Sequence, residues 1–216
     1  MPDSLRLERP QLLTDMAQVR IRDAIVDGRL ALGAQVSEAQ LALQMGVSKT
    51  PVREALLHLS RDGLVVIQPQ RGTFVFRLEP GQVAALCRYR ATIEIAALRE
   101  ACANDRTGLA RAMAACLARM KPAEAARDLR ELARSDMDFH WQFLVFCGND
   151  YLRAGYEVIR SQLVALRHRS PIDNAVRSHK VLVDAVSRGA VDRACELLEQ
   201  HVLENEPRYR AACAVG

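Results

Sequence analysis

The stretch from Ser37 to Val65, SEAQLALQMGVSKTPVREALLHLSRDGLV, packs two helix starts and two helix stops so closely that only a pair of short helices joined by a tight turn fits. Ser37 followed by Gln40 makes an S-x-x-Q capping box, and Leu41, Ala42 and Met45 supply an inner face before Gly46 stops the first helix. Ser48 can cap the second. Pro51 falls in its first turn, where a missing N–H costs little, and Val52, Ala55, Leu56 and Leu59 recur at i, i+3, i+4 and i+7 until Gly63. The spacing predicts a helix-turn-helix.

Lys49, Thr50 and Arg53 stand off that apolar stripe and share one exposed face at the start of the second helix, a face that a DNA major groove would receive. Leu64 to Gln68 and Thr73 to Arg77 are rich in β-branched and aromatic residues and flank the turn-forming Pro69-Gln70-Arg71-Gly72. They read as a hairpin, or wing, with Arg71 at its tip. From Ser48 to Arg77, Lys49, Arg53, Arg61, Arg71 and Arg77 face only Glu54 and Asp62, a small basic surface where phosphates would lie. Bulk charge says less: the net charge is +4, and residues 1–79 hold ten basic against nine acidic side chains.

The run GVSKTPVREAL, preceded by SEAQLA and followed by DGLV and QRGTFV, resembles the winged helix-turn-helix of the GntR family of bacterial transcription regulators over roughly residues 14–77. That resemblance implies DNA contacts by Ser48, Lys49, Thr50 and Arg53, with minor-groove contact by the wing at Arg71 and Gly72. This chain departs from the pattern at Lys49, where many relatives have arginine, and at Ala39, where some do. Lysine is a point charge without the guanidinium fork that matches guanine through two bonds, so base readout there is expected to be looser.

With 216 residues, 50% of them hydrophobic, the chain has room for two modest domains, each with a core. The first ten residues lack periodicity and are expected to fray, and the absence of a long apolar run argues against a signal peptide or membrane span, so a cytoplasmic protein is expected. The six cysteines, scattered with no C-x-x-C pair, read as reduced packing residues.

Leu78-Glu79-Pro80-Gly81 interrupts the pattern and marks a boundary between a DNA-binding domain (residues 1–78) and an all-α domain (82–216). Six helical segments can be drawn in the second, about 82–104, 108–120, 123–147, 150–169, 172–187 and 190–206, giving a mostly α fold with a six-helix bundle. Three of them turn ligand-type side chains inward. Leu129, Leu132, Asp136, Phe139, His140, Phe143 and Cys147 share one stripe; Ile172, Ala175, His179, Leu182 and Val186 share a second; and Ala194, Leu198, His201 and Val202 share a third.

A buried, unpaired carboxylate costs several kcal/mol or becomes neutral, and a shared divalent cation would satisfy these groups together. Each histidine alone is more often a satisfied core residue, and Asp136 with His140 can equally be a surface pair, so the residues leave both readings open. The segments DMDFHWQFLVFCGN and SHKVLVDAVSRGAVDRACELLEQH resemble the FCD effector-binding domain of the FadR subgroup of GntR regulators, in its VanR-like branch. What that implies is a divalent metal held by Asp136, His140, His179 and His201, with Zn, Ni, Mn or Fe(II) compatible with such oxygen and nitrogen donors.

Arg90 lies on the stripe of Leu86, Ile93 and Ala97, where it can snorkel outward or pair with Glu94 at i+4. The resemblance instead lets it line the ligand cavity and hold a carboxylate. Asn149 follows Gly148 and reads as a C-terminal helix cap or, by resemblance, an effector contact. His58 and His168 fall outside the metal set. The expectation is therefore a homodimeric, non-enzymatic regulator that binds a palindromic DNA operator and responds to a small organic acid beside a metal. Two alternatives stand beside it: the metal itself as the signal, or a metal-dependent hydrolase, which the lack of a spare carboxylate beside the ligands disfavours.

Overall fold

A computed structural model describes residues 13–170 and 174–214, and the chain divides between Phe76 and Arg77 into two compact units. The first holds α1 (Leu13–Val26), β1 (Gln35–Val36), α2 (Glu38–Met45), α3 (Lys49–Arg61), β2 (Val65–Gln68) and β3 (Gly72–Val75). α2 starts as its cap dictates, with the Ser37 side chain accepting from the Gln40 N–H, and ends at Gly46, whose φ of 67° is left-handed. Ser48 stands at the cap position of α3 in an extended conformation, but its side chain makes no capping bond. The stripe Val52, Ala55, Leu56 and Leu59 is buried against Ile21 and Ile25 of α1, while Met45, expected inside, is only half-buried.

β2 and β3 pair antiparallel with Val65 opposite Val75 and Gln68 opposite Gly72, so the wing forms where expected. The two-residue β1, too short to show a period, adds to the other edge of β3 in the order β1-β3-β2. At the wing tip Gly72 has φ 113°, and a Cβ there would sit 2.8 Å from Gln35 Nε2, so this turn excludes a side chain. Gln35 Nε2 also donates to the Arg71 carbonyl at 3.1 Å, tying the tip to β1.

The second unit comprises α4 (Pro80–Ala125), α5 (Leu129–Phe146), α6 (Asp150–Arg169), α7 (Ala175–Ser187), α8 (Val191–Leu203) and α9 (Glu206–Ala214). These are six helices among the described residues, divided differently from the six segments drawn above. The first two segments run on as α4 but meet at a kink inside the break drawn between them: Asp105 is non-helical (φ −152°, ψ 77°), and its side chain caps the continuation by accepting from the Gly108 N–H at 2.8 Å. Pro122 does not end α4 at once: it forfeits the bond to the carbonyl four residues back, and the helix ends three residues later at Ala125. α5 therefore starts at Leu129 under the Asp128 cap, six residues later than drawn, and Leu129 at its first position is exposed. α9 was not drawn at all.

Ile172 and Pro171 lie outside the described residues, as do the first ten residues of the chain. The rest of the three stripes, from Leu132 and Ala175 onward, is buried as the periodicity requires. All six cysteines are free, five of them buried in the helical unit. No helix of the described residues is long and apolar enough to cross a membrane.

Candidate nucleic-acid interface and metal centre

In the first unit Ser48, Lys49, Thr50 and Arg53 are all exposed at the start of α3, as are Arg71 and Gly72 at the wing tip. Arg53 is not a loose cation. Its Nε lies 3.1 Å and a terminal nitrogen 3.0 Å from Glu38 Oε2, which aims the guanidinium from α2 and raises its already high pKa through that hydrogen bond and charge. Glu54 accepts from the Thr14 hydroxyl and Asp62 pairs with Arg22, so the two acidic residues near the basic face are held by α1.

In the second unit the four predicted ligands converge. Asp136 and His140 come from α5, His179 from α7 and His201 from α8; one ligand atom from each lies within 4.8 Å of all the others. Asp136, His140 and His179 are fully buried and His201 is 9% exposed. Phe139 stacks edge-on against His140 and His179 and, with Phe143, closes the apolar side of the cluster.

Hydrogen bonding fixes which nitrogen each ring offers. His179 Nδ1 sits 2.7 Å from the Ala175 carbonyl, which can only accept, so Nδ1 carries the proton and Nε2 faces the centre. His140 Nδ1 sits 2.8 Å from Glu94 Oε2. Burial pushes the Glu94 carboxyl up, but Arg90 and His140 outweigh it and hold it at about 2, so it is ionised and His140 Nδ1 must donate. Burial pulls His140 down to about 4, leaving the ring neutral with Nε2 inward.

The two Nε2 atoms meet at 3.4 Å, and His179 Nε2 lies 3.1 Å from Asp136 Oδ1. Either a proton on one Nε2 or a cation between them must separate the lone pairs. The buried Nε2 of His201 has no partner, and neither Asp136 oxygen accepts an aligned hydrogen bond. One shared cation would satisfy all four, and the outer bonds that orient His140 and His179 have the form usual for metal-bound histidine. The donor set fits a metal.

Arg90 is buried completely, not snorkelling: Nε donates to Glu94 Oε1 at 2.6 Å and Nη1 to the Tyr209 hydroxyl at 3.2 Å, leaving Nη2 without a partner. The i+4 pair with Glu94 and an inward position thus hold together. Asn149 caps the start of α6, not the end of α5, accepting from the Tyr151 and Leu152 N–H groups while its amide donates to Glu100. That correction follows from Gly148, whose φ of 67° has already ended α5. His58 bonds Gln18, and His168 is half-buried.

Sequence reasoning missed three contributors. Glu94 is a carboxylate beside the ligands, though not a spare one, since Arg90 and His140 occupy it. Arg167 of α6 is 2% exposed, places Nε 2.8 Å from Asp136 Oδ2 and donates from Nη1 to Asn205 Oδ1 at 2.8 Å. Burial raises the Asp136 carboxyl, but Arg167 and then His179 outweigh it and hold it well below the usual range. Tyr209, fully buried on the undrawn α9, lies under Arg167 and bonds Arg90. The available signal was Arg167 on the stripe Tyr156, Ile159 and Leu163, a charge where the period demands an apolar residue. Glu94→Gln is expected to lower metal affinity roughly 10–100-fold, measured by competition with a chelator, because it removes the ionised acceptor that orients His140.

Residues 13–75 match the family described as bacterial regulatory proteins, gntR family, and residues 85–204 match the FCD domain, which alone spans more than half of the chain. The chain belongs to the GntR family. As a GntR regulator it is similar, at 31% identity over 85% of the chain and 84% of the relative, to the "Probable D-xylose utilization operon transcriptional repressor" of Paenarthrobacter nicotinovorans. An uncharacterized HTH-type transcriptional regulator of Streptomyces ambofaciens is 30% identical over 89% of the chain and 84% of its own length. A GntR-type chain from Rhodococcus sp. RHA1 shares the fold, with a TM-score of 0.77 at 24% identity over 92% of this chain and 97% of that one. This GntR protein is therefore a DNA-binding transcription regulator with an FCD effector-binding domain, and it carries an Asp and His cluster that could bind a metal.

Proposed function

We propose that this regulator binds a palindromic operator as a homodimer through Ser48, Lys49, Thr50, Arg53 and the wing residues Arg71 and Gly72. Its C-terminal unit answers to a small organic acid held beside a divalent metal of the Zn, Ni, Mn or Fe class. The protein works on DNA in the cytoplasm, without enzymatic activity, and its target is a metabolic operon, as the name of the Paenarthrobacter relative says of that protein.

The observation that carries the effector class is a charge sum. Arg90 and Arg167 against Glu94 and Asp136 leave the buried cluster neutral, with the three imidazoles uncharged when they act as ligands. A divalent ion on Asp136, His140, His179 and His201 makes that interior +2 and offers an open coordination position. A buried excess of positive charge calls for an anion. Arg90 Nη2 and Arg167 Nη2, both buried and without hydrogen-bond partners, are the donors such an anion would meet. Asn149, with its side chain committed to the α6 cap and Glu100, is the peripheral member of the effector set.

An acid bound among Arg90, Arg167 and the ligands touches α4, α5, α6, α7 and α8 at once, so it favours whichever packing of those helices fits it. The test is to strip and reload the protein and measure operator affinity with metal alone, then with a panel of sugar acids, aromatic acids and tricarboxylates. Acid-dependent affinity seen only in the metal-loaded protein is the expected result. Metal that moves affinity fully with no acid present would make the metal the signal and overturn the acid reading.

A further inference from the structure

A pocket of about 410 Å³ opens between α7 and α8, and its floor is His201. That volume lies within the range of roughly 300–1,000 Å³ common for small-molecule sites. His201 is the one ligand of the four with any exposed surface, and its buried Nε2 is without a partner. Asn205, 96% buried by its 4% exposure, also lines the pocket and faces the other way into the cluster, accepting from Arg167 Nη1 at 2.8 Å. Two buried polar side chains thus connect the pocket to the metal centre.

The rim of the pocket is basic. Arg177 of α7 and Arg208 of α9 line it, and among the described residues neither guanidinium is in an ion pair. The opposing charge is Glu204, whose carboxylate is engaged by the Gln200 amide at 2.7 Å. Ser178 and Asn174, at the amino end of the 13-residue α7, add hydroxyl and amide groups on the positive side of that helix dipole. Val181 and Leu197 supply an apolar stretch between these polar groups.

We propose that this pocket is the outer half of the effector site and receives the second acidic group of an effector that is at least a dianion. One acidic group approaches the metal at His201, the ligand that meets the pocket, the carbon chain lies along Val181 and Leu197, and the distal acid lies between Arg177 and Arg208. The inference rests on the acid-effector reading above. It adds a selection rule: two acidic groups, spaced by a short apolar chain, in preference to one. Asn205 couples the halves, because it joins the pocket wall to Arg167 and, through its amide, to the His201 carbonyl at 2.7 Å.

The test titrates metal-loaded full-length protein by calorimetry with succinate, glutarate and adipate, and with butyrate, valerate and caproate as single-acid partners of equal length. At least one diacid should bind about tenfold more tightly than its partner, the scale of one added charge-assisted contact. Arg208→Gln and Arg177→Gln should each shrink that ratio several-fold, and Arg208→Lys should restore most of it. Metal content and the thermal transition check that each variant is folded. A wild-type ratio near one, or a ratio unchanged in both glutamine variants, overturns the proposal. Failure of every acid, single or double, to bind is the distinct result that removes the acid-effector reading and this inference with it.

Discussion

A chain carrying Asp136→Ala is expected to lose its bound metal and to melt its helical unit at a lower temperature than wild type that has been stripped of metal. Two effects combine. The first is loss of the oxygen donor, which His179→Ala should match by removing a nitrogen donor; elemental analysis of either purified variant is expected to show little metal. The second belongs to Asp136 alone. Arg167, 2% exposed, places its Nε 2.8 Å from that carboxylate, and removing one member of a buried ion pair typically costs about 3–5 kcal/mol by stranding the other. In metal-free protein His179→Ala should therefore melt well above Asp136→Ala. Equal melting temperatures for the two apo variants would show that Arg167 finds another anion or reaches water, and that the pair does not organise the core.

Replacing Arg53 with alanine is expected to weaken operator binding about ten- to a hundredfold, the scale of a guanidinium that reads a base edge. Lys49→Ala, by contrast, should weaken binding to all DNA alike and reduce the slope of log affinity against log salt by about one. The structure adds a third member to the series. Glu38 holds Arg53 through contacts of 3.0 and 3.1 Å, so Glu38→Gln should lower affinity less than Arg53→Ala while blurring discrimination between operator variants. Fluorescence anisotropy on a fragment selected with the wild-type protein, at fixed salt for the affinities and over a salt series for the Lys49 slope, distinguishes them. Unchanged binding by the Arg53 variant would remove α3 from the interface.

Most of the DNA-binding unit was legible in the chain because its signals are local. A cap, a stop and an apolar period within α2 and α3 each concern residues a few positions apart, and so do the turn residues of the wing. β1 was not legible, since two residues carry no period and its partner β3 lies far along the chain. In the helical unit the inward stripes of α5, α7 and α8 were read correctly, as were both ends of α6, but the start of α5 was not. Pro122 looked like a stop, yet α4 runs three residues past it to Ala125. Asp105, inside the break drawn between residues 104 and 108, leaves helical geometry and holds the kink.

The same divide runs through the candidate site. Asp136, His140, His179 and His201 stand out in the sequence because each violates the apolar period of its own helix, a one-dimensional anomaly. Glu94 and Arg167 violate their periods too, yet their partners lie on other helices, and no spacing along the chain pairs Glu94 with His140 or Arg167 with Asp136. Tyr209 and Asn205 were hidden further, on and beside a helix that the sequence reading did not draw.

What the sequence determined by itself was the type of each part: a winged reader of DNA, an all-helical partner, and a set of donors turned toward a common interior. Tertiary structure decided how those donors are wired. Packing of six helices brought two arginines and two carboxylates into a fully buried interior, where the low dielectric makes their pairing strong enough to set protonation and choose the inward nitrogen of His140, while His201 meets the pocket between α7 and α8. Periodicity can place a side chain on the inner face of its own helix, but which groups meet there depends on contacts between distant segments, and those are made by packing.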